Sequence, residues 1–266
     1  PLEATIHETQ LTAASATALA QHSGSQAPTM LVNRFGKGTA ILLNGNLFSK
    51  YNSLRGNRTV GDFGERIQAM EDLMSAILKS AGLKRHSHIN TISGDPLHFF
   101  NTWIHRTGRN EYVCLARWRG GKKSQMGQVK FSGAAHTYDV ASRRNYGNTE
   151  TVKLLIEDPA IPLFARLSYT VNGIVCEAND EYRRGEIMQA SIRVQTGGDP
   201  EMHIVRMEVT DPEGRRVPHY DRNLLLENGK GEANIPFALN DPVGAWRIRF
   251  RDVATGVELQ KQIKLK

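Results

Sequence analysis

Cysteine is scarce in this sequence: Cys114 and Cys176 are the only two in 266 residues. Two cysteines cannot build the multi-bridge framework of small secreted domains, and no CxxC pair is present, which argues against zinc-ribbon and zinc-finger sites. Each sits in an apolar alternation, Tyr112-Val-Cys-Leu115 and Ile174-Val-Cys-Glu177. The alternation predicts two buried free thiols in strands, with one disulfide as the other arrangement. Long apolar runs are missing too. The longest patches, such as Thr39-Ala-Ile-Leu-Leu43, have strand length, far short of the roughly 20 residues that a membrane-crossing helix needs. The chain opens on Pro1 and shows no basic, apolar, small-residue leader pattern, so it reads as a piece of something longer.

The motifs of catalysis are absent as well. No GxSxG is present, and neither cysteine has the strand–turn–helix setting of an activated nucleophile. Asn33-Arg-Phe-Gly-Lys-Gly-Thr39 has glycines and a lysine but leads into an apolar strand, whereas a phosphate loop leads into a helix. It reads as a hairpin turn. Glu65, Glu71 and Asp72 lie on the polar side of an amphipathic helix and read as its solvated face. His86 and His88 have same-face strand spacing, but no third or fourth ligand lies nearby. The sequence therefore predicts no catalytic residue, no metal site and no cofactor.

What is there is mostly β-sheet signal. In 203–210, Ile204, Arg206 and Glu208 alternate with Val205, Met207 and Val209; in 245–253, Trp246, Ile248 and Phe250 alternate with Arg247, Arg249 and Arg251. Period-two separation of an apolar from a charged face marks half-buried antiparallel strands. Asp211-Pro-Glu-Gly214 and Asn240-Asp-Pro-Val-Gly244 supply turn chemistry beside them. Residues 171–266 hold seven such strands and read as an immunoglobulin-like sandwich. Residues 84–170 read as a smaller β-sandwich, with 127–131 and 136–140 as separate strands and turns at 107–110, 120–121 and 145–148.

Residues 1–83 read as a partial α/β segment. A hairpin over 27–44 with a connection of four or five residues is followed by a helix over 63–83. Phe63, Ile67, Met70, Leu73, Met74, Ile77 and Leu78 share one helix face, with Asp62 and Gly82 as caps. One hairpin and one helix are too little for a core of their own. The fold class is thus mostly β with an α/β N-terminal part.

Charge points to one place. The net charge is +7, and the excess lies almost wholly in 84–170, which carries thirteen Lys and Arg against six Asp and Glu. The run Arg117, Trp118, Arg119, Lys122 and Lys123 combines cations with an aromatic and is the candidate binding tip. A solvated hairpin with Trp118 turned inward, a contact to another chain or domain, a carbohydrate and a nucleic acid all fit that composition. Trp103, Tyr112 and Tyr146 would complete a stacking platform for a sugar. Nucleic acid ranks last, because the arginines of 245–253 are matched by acids within their own domain.

Several phrases resemble a known family. Pro28-Thr-Met-Leu-Val-Asn-Arg-Phe-Gly-Lys-Gly-Thr-Ala-Ile-Leu-Leu-Asn44, followed by a helix, resembles the end of the flavodoxin-like trimerisation domain of family-42-type β-galactosidases. His136-Thr-Tyr-Asp-Val140, Gly147 and Pro162-Leu-Phe-Ala-Arg-Leu-Ser-Tyr169 resemble the small β domain that follows it. Ala238-Leu-Asn-Asp-Pro-Val-Gly-Ala-Trp246 and Asp252-Val-Ala-Thr-Gly256 resemble an immunoglobulin-like domain appended to some large bacterial proteins of this kind. No part of the chain resembles the family's catalytic (β/α)₈ barrel. The resemblance implies an accessory region of a retaining glycoside hydrolase, with the barrel as its partner, homo-oligomer contacts, and hydrolysis performed elsewhere.

Overall fold

The computed structural model describes residues 6–46, 63–95, 97, 100–117, 124–157 and 161–266, without the side chains of 63–67, 117 and 125. The chain divides into two compact units, Pro1–His86 and Ser87–Lys266, and is mostly β.

In the first unit β1 (Thr17–Gln21), β2 (Pro28–Phe35) and β3 (Gly38–Leu43) form an antiparallel meander. The connection between β2 and β3 is two residues, not the four or five expected, because Phe35 already pairs with Gly38. Gly36 takes φ +59°, as the first central residue of a two-residue hairpin of type II′ must. Buried Asn44 ties this sheet down: its Nδ2 donates to the carbonyls of Glu8 at 2.7 Å and Pro28 at 2.9 Å, and its Oδ1 accepts from Glu8 N–H at 2.9 Å. The helix α1 runs Phe63–Ser80. It stops short of 83 because Gly82, at φ +75°, turns the chain so that Leu83 N–H reaches Leu78 O and Gly82 N–H reaches Lys79 O. That pair of bonds is the Schellman cap.

The second unit begins with one six-stranded antiparallel sheet. Its strands are β4 (Ser87–Thr91), β5 (Phe100–Thr107), β6 (Asn110–Arg117), β7 (Gln125–Asp139), β8 (Asn145–Ile156) and β9 (Leu163–Leu167). The stretches 127–131 and 136–140 are not separate strands. As far as Asp139 they belong to β7, which continues past Gly133 through a register shift between Lys130 and Ala135. On one side β7 pairs with β8 along its length; on the other it pairs first with β4 and then with β9. The bend lets a single sheet enclose its own core of Val113, Leu115, Val129, Phe131, Val152 and Phe164. The turn expected at 145–148 is strand; the reversal falls at 140–144, where Arg143 has φ +59° and Asp139 Oδ1 accepts from Ala141 and Ser142 N–H.

The rest is a two-sheet sandwich. One sheet has the order β10 (Val171–Glu177), β12 (Ile187–Thr196), β15 (Lys230–Pro236). The other has the order β11 (Glu181–Tyr182), β17 (Glu258–Leu265), β16 (Gly244–Asp252), β13 (His203–Thr210), β14 (Arg222–Leu226). The alternation in β13 and β16 is as the sequence predicts, with Val205, Met207, Val209, Trp246, Ile248 and Phe250 fully buried. Two-residue β11 had no sequence signal; it pairs in parallel with the end of β17. The sandwich core extends into the six-stranded sheet, whose outer face contributes Tyr138, Ala165 and Leu167.

Candidate functional site

The chemistry-bearing groups that the fold brings together lie where the six-stranded sheet meets the sandwich. Asn110 opens β6, Tyr169 follows β9, His203 opens β13, Asp252 closes β16, and Thr255 sits in the turn before β17. All five are buried. The Tyr169 hydroxyl oxygen accepts from Asn110 Nδ2 at 2.8 Å and from Glu201 N–H at 2.8 Å. With both lone pairs taken, its proton goes to His203 Nε2 at 3.0 Å. His203 Nε2 is therefore the bare nitrogen, and Nδ1–H donates to Asp252 Oδ1 at 2.8 Å. Asp252 Oδ2 accepts from Thr255 N–H at 3.0 Å and from Thr255 Oγ1 at 2.6 Å. The hydrogen-bond count alone fixes a neutral imidazole in one tautomer.

A hydroxyl, an imidazole and a carboxylate in series have the form of a catalytic relay. Here the hydroxyl cannot reach a substrate: Tyr169 is 3% exposed, His203 1% and Asp252 0%. Burial pushes the Tyr169 phenol above its ordinary pKa, with the charges of Glu201 and Asp252 adding to the rise. Neighbouring Tyr112 is pushed up to about 12 by burial, with Asp252 and Tyr169 adding to it. Neither phenol ionises near neutrality. The network acts as a joint instead. Two exposed ion pairs flank it, Arg109–Glu201 at 2.9 Å and Arg143–Glu258 at 3.1 Å, each linking the sheet to the sandwich.

None of these residues was singled out from the sequence, yet their strands carry the signal. His203 is in phase with Val205, Met207 and Val209. Asp252 is in phase with Trp246, Ile248 and Phe250, and Tyr169 with Ala165 and Leu167. A polar residue in phase with an apolar stripe must find a buried partner.

Of the expected tip, Arg117 ends β6, while Trp118, Arg119, Lys122 and Lys123 lie outside the described residues. The other platform aromatics do not gather on one open face. Tyr112 packs against the sandwich core, Tyr146 meets Phe164 edge-on at 6.3 Å under the Arg144 guanidinium, and Trp103 alone stays open at 52% exposure. Cys114 and Cys176 are free and half-buried in β6 and β10, and burial raises both thiols. Among the described residues no group of three His, Cys, Asp or Glu side chains could hold a metal ion. No helix among the described residues is long and apolar enough to cross a membrane.

The outer face of β13 and β16 is a charge network. Glu208 accepts from Arg216 at 2.8 Å and from Arg249, and Asp221 holds Arg216 at 2.6 Å and Arg206 at 3.2 Å. The Arg249 hydrogen bond holds the Glu208 carboxyl below the usual range, and Arg109 does the same for Glu201. At Asp211 burial works upward, but the N–H and guanidinium of Arg215 outweigh it. Depressed carboxyl pKa values contribute stability that is present above the unfolded range of about 4 and is lost as pH falls through the folded values. The melting temperature should hold between pH 7 and 5 and fall below about pH 4. Glu208→Gln should flatten that fall and cost on the order of 1 kcal/mol at neutral pH. Thermal melts of both proteins across pH 2.5–7 check this; equal acid profiles would contradict it.

No protein-family model matches the sequence, and no curated protein matches it. Three solved structures share partial likeness. A superoxide reductase (neelaredoxin) from Ignicoccus hospitalis is 16% identical over 36% of this chain and 82% of that one, with a TM-score of 0.26. Salmonella alpha-2-macroglobulin reacted with methylamine is 14% identical over 88% of this chain and 15% of that one, at 0.30. An FMN-binding beta-glucuronidase from Facaelibacterium prausnitzii is 9% identical over 69% of this chain and 38% of that one, at 0.27. Likeness of this degree assigns no function.

Proposed function

We propose that this chain is a non-catalytic accessory region of a β-galactosidase-like glycoside hydrolase. It spaces and stiffens the assembly, while a barrel domain outside this sequence carries the hydrolysis. The observation that supports this most is the fate of the one relay-like set among the described residues. Tyr169, His203 and Asp252 are closed off from solvent and spent on joining a sheet to a sandwich. The glycosidase context rests on the residue phrases at 28–44 and 136–169. The reading expects homo-oligomer contacts and no turnover by this chain alone. Sedimentation equilibrium together with an assay on nitrophenyl β-galactosides tests it. An oligomer without turnover supports it. A monomer, or turnover abolished by replacing one of the chain's own acids, overturns it.

A further inference from the structure

The outer face of β10, β12 and β15 carries a feature that the accessory role does not use. Arg193 on β12 and Lys230 on β15 are direct cross-strand partners, both exposed. Their side chains make no hydrogen bond or ion pair among the described residues. Like charges placed opposite one another on a sheet repel, with Cβ atoms about 5 Å apart. On the neighbouring sheet, by contrast, Arg206, Arg216 and Arg249 are each held by an acid.

This cation pair lies in a groove of about 680 Å³ whose lining also includes Gln195, Thr196, Asp199, Glu227 and Asn228. A second hollow of about 320 Å³ shares Arg193 and Lys230 and adds Glu177 and Ser191. The walls are fixed rather than loose. Gly229, at φ +69°, donates its N–H to Glu201 O at 3.1 Å and lies so close to Pro200 that an added Cβ would stand 2.8 Å from Pro200 Cγ. Thr196 Oγ1 donates to Gly198 O at 2.5 Å, and Gly197 N–H to Thr170 O at 2.9 Å.

We propose that this groove is a binding site for an acidic carbohydrate. The carboxylate of a uronic acid residue would bridge Arg193 and Lys230, relieving their repulsion. Sugar hydroxyls would donate to Asp199 and Glu227 and exchange hydrogen bonds with the Gln195 and Asn228 amides. Among the described residues no aromatic side chain lines the groove, so a neutral sugar would lack the apolar face it needs, and recognition rests on charge and hydroxyls. The proposal is independent of the accessory-region reading, since neither site shares a side chain with the other.

The test is calorimetric titration of the full chain with an oligogalacturonate, with a neutral galacto-oligosaccharide of equal length, with sodium sulfate and with a single-stranded DNA oligomer. The site predicts binding of the oligogalacturonate alone, weakening with added salt. The double variant Arg193→Gln, Lys230→Gln should lose roughly tenfold or more in affinity, through two charge-assisted contacts. It should melt no lower than the parent, because it removes a repulsion and no internal bond. Absence of binding overturns the proposal. So does affinity unchanged in the double variant, or sulfate, DNA or the neutral sugar binding as tightly as the oligogalacturonate.

Discussion

Asp252→Ala is expected to lower the stability of the Ser87–Lys266 unit by about 3–5 kcal/mol, through orphaned buried donors that each cost about 1–3 kcal/mol. The carboxylate is fully buried and serves three donors: His203 Nδ1–H, Thr255 N–H and Thr255 Oγ1. Alanine leaves all three in a place that water does not reach. It also removes the acceptor that fixes the His203 tautomer, so the imidazole no longer offers Tyr169 a bare nitrogen. The damage then reaches the six-stranded sheet, because the same phenol oxygen accepts from Asn110. Tyr169→Phe should therefore destabilise too, and its effect should not add to that of Asp252→Ala. A coupling energy above about 0.5 kcal/mol is expected in the double-mutant cycle. Urea unfolding followed by circular dichroism reads all three variants. A loss below about 1 kcal/mol for Asp252→Ala would show that the network is not what joins the two parts, since typical domains hold only about 5–15 kcal/mol in total.

The same residues show how far the sequence could be read. Where burial follows a local period, the reading succeeds: β13 begins and ends where its alternation does, and β16 is displaced by one residue at each end. Turn chemistry is equally local, so Asp211 capping Glu213 and Arg215 N–H is visible in Asp-Pro-Glu-Gly. The reading fails where the cause is distant. Gly133 looks like a break, but β7 continues because β8 pairs with it before and after that point on one side, and β4 and then β9 do so on the other; pairing partners outweigh a local propensity. Tyr112, read as a sugar platform, is claimed by the sandwich core because its row, Tyr112–Ala165–Tyr138, faces that core across two strand pairings. The joint itself links positions 32 to 59 residues apart, and no local window holds both ends of any of its long bonds. Phase along each strand shows that His203 and Asp252 point inward. Only the fold shows that they meet.

Trp246→Ala is expected to cost about 3–5 kcal/mol, the range for truncating a large buried aromatic. The ring is 1% exposed and is the largest fully buried side chain among the described residues. It packs edge-on against Phe237 at 5.3 Å and tilted against Tyr220 at 6.2 Å, and its Nε1–H donates to Pro242 O at 2.9 Å. Removing it opens a cavity and frees the 240–244 turn that closes this end of the sandwich. Asp241 in that turn accepts from Tyr220 Oη at 2.7 Å and from Ala238 N–H at 2.8 Å. Burial and that bond push the Tyr220 phenol up to about 12, so it remains a donor at both pH 6 and pH 9. The loss caused by Trp246→Ala should accordingly be the same at pH 6 and pH 9. Trp246 lies six residues from Asp252 along β16, about 20 Å at the rise of an extended strand. At that separation the two losses should add within about 0.5 kcal/mol. Trp246→Phe keeps a packed six-membered ring, loses the indole N–H and leaves a smaller cavity than alanine, and should retain more than half of the stability lost by alanine. Denaturant midpoints for the three proteins decide it: if phenylalanine and alanine cost the same, the hydrogen bond to Pro242 holds this end of the sandwich, and the packed ring does not.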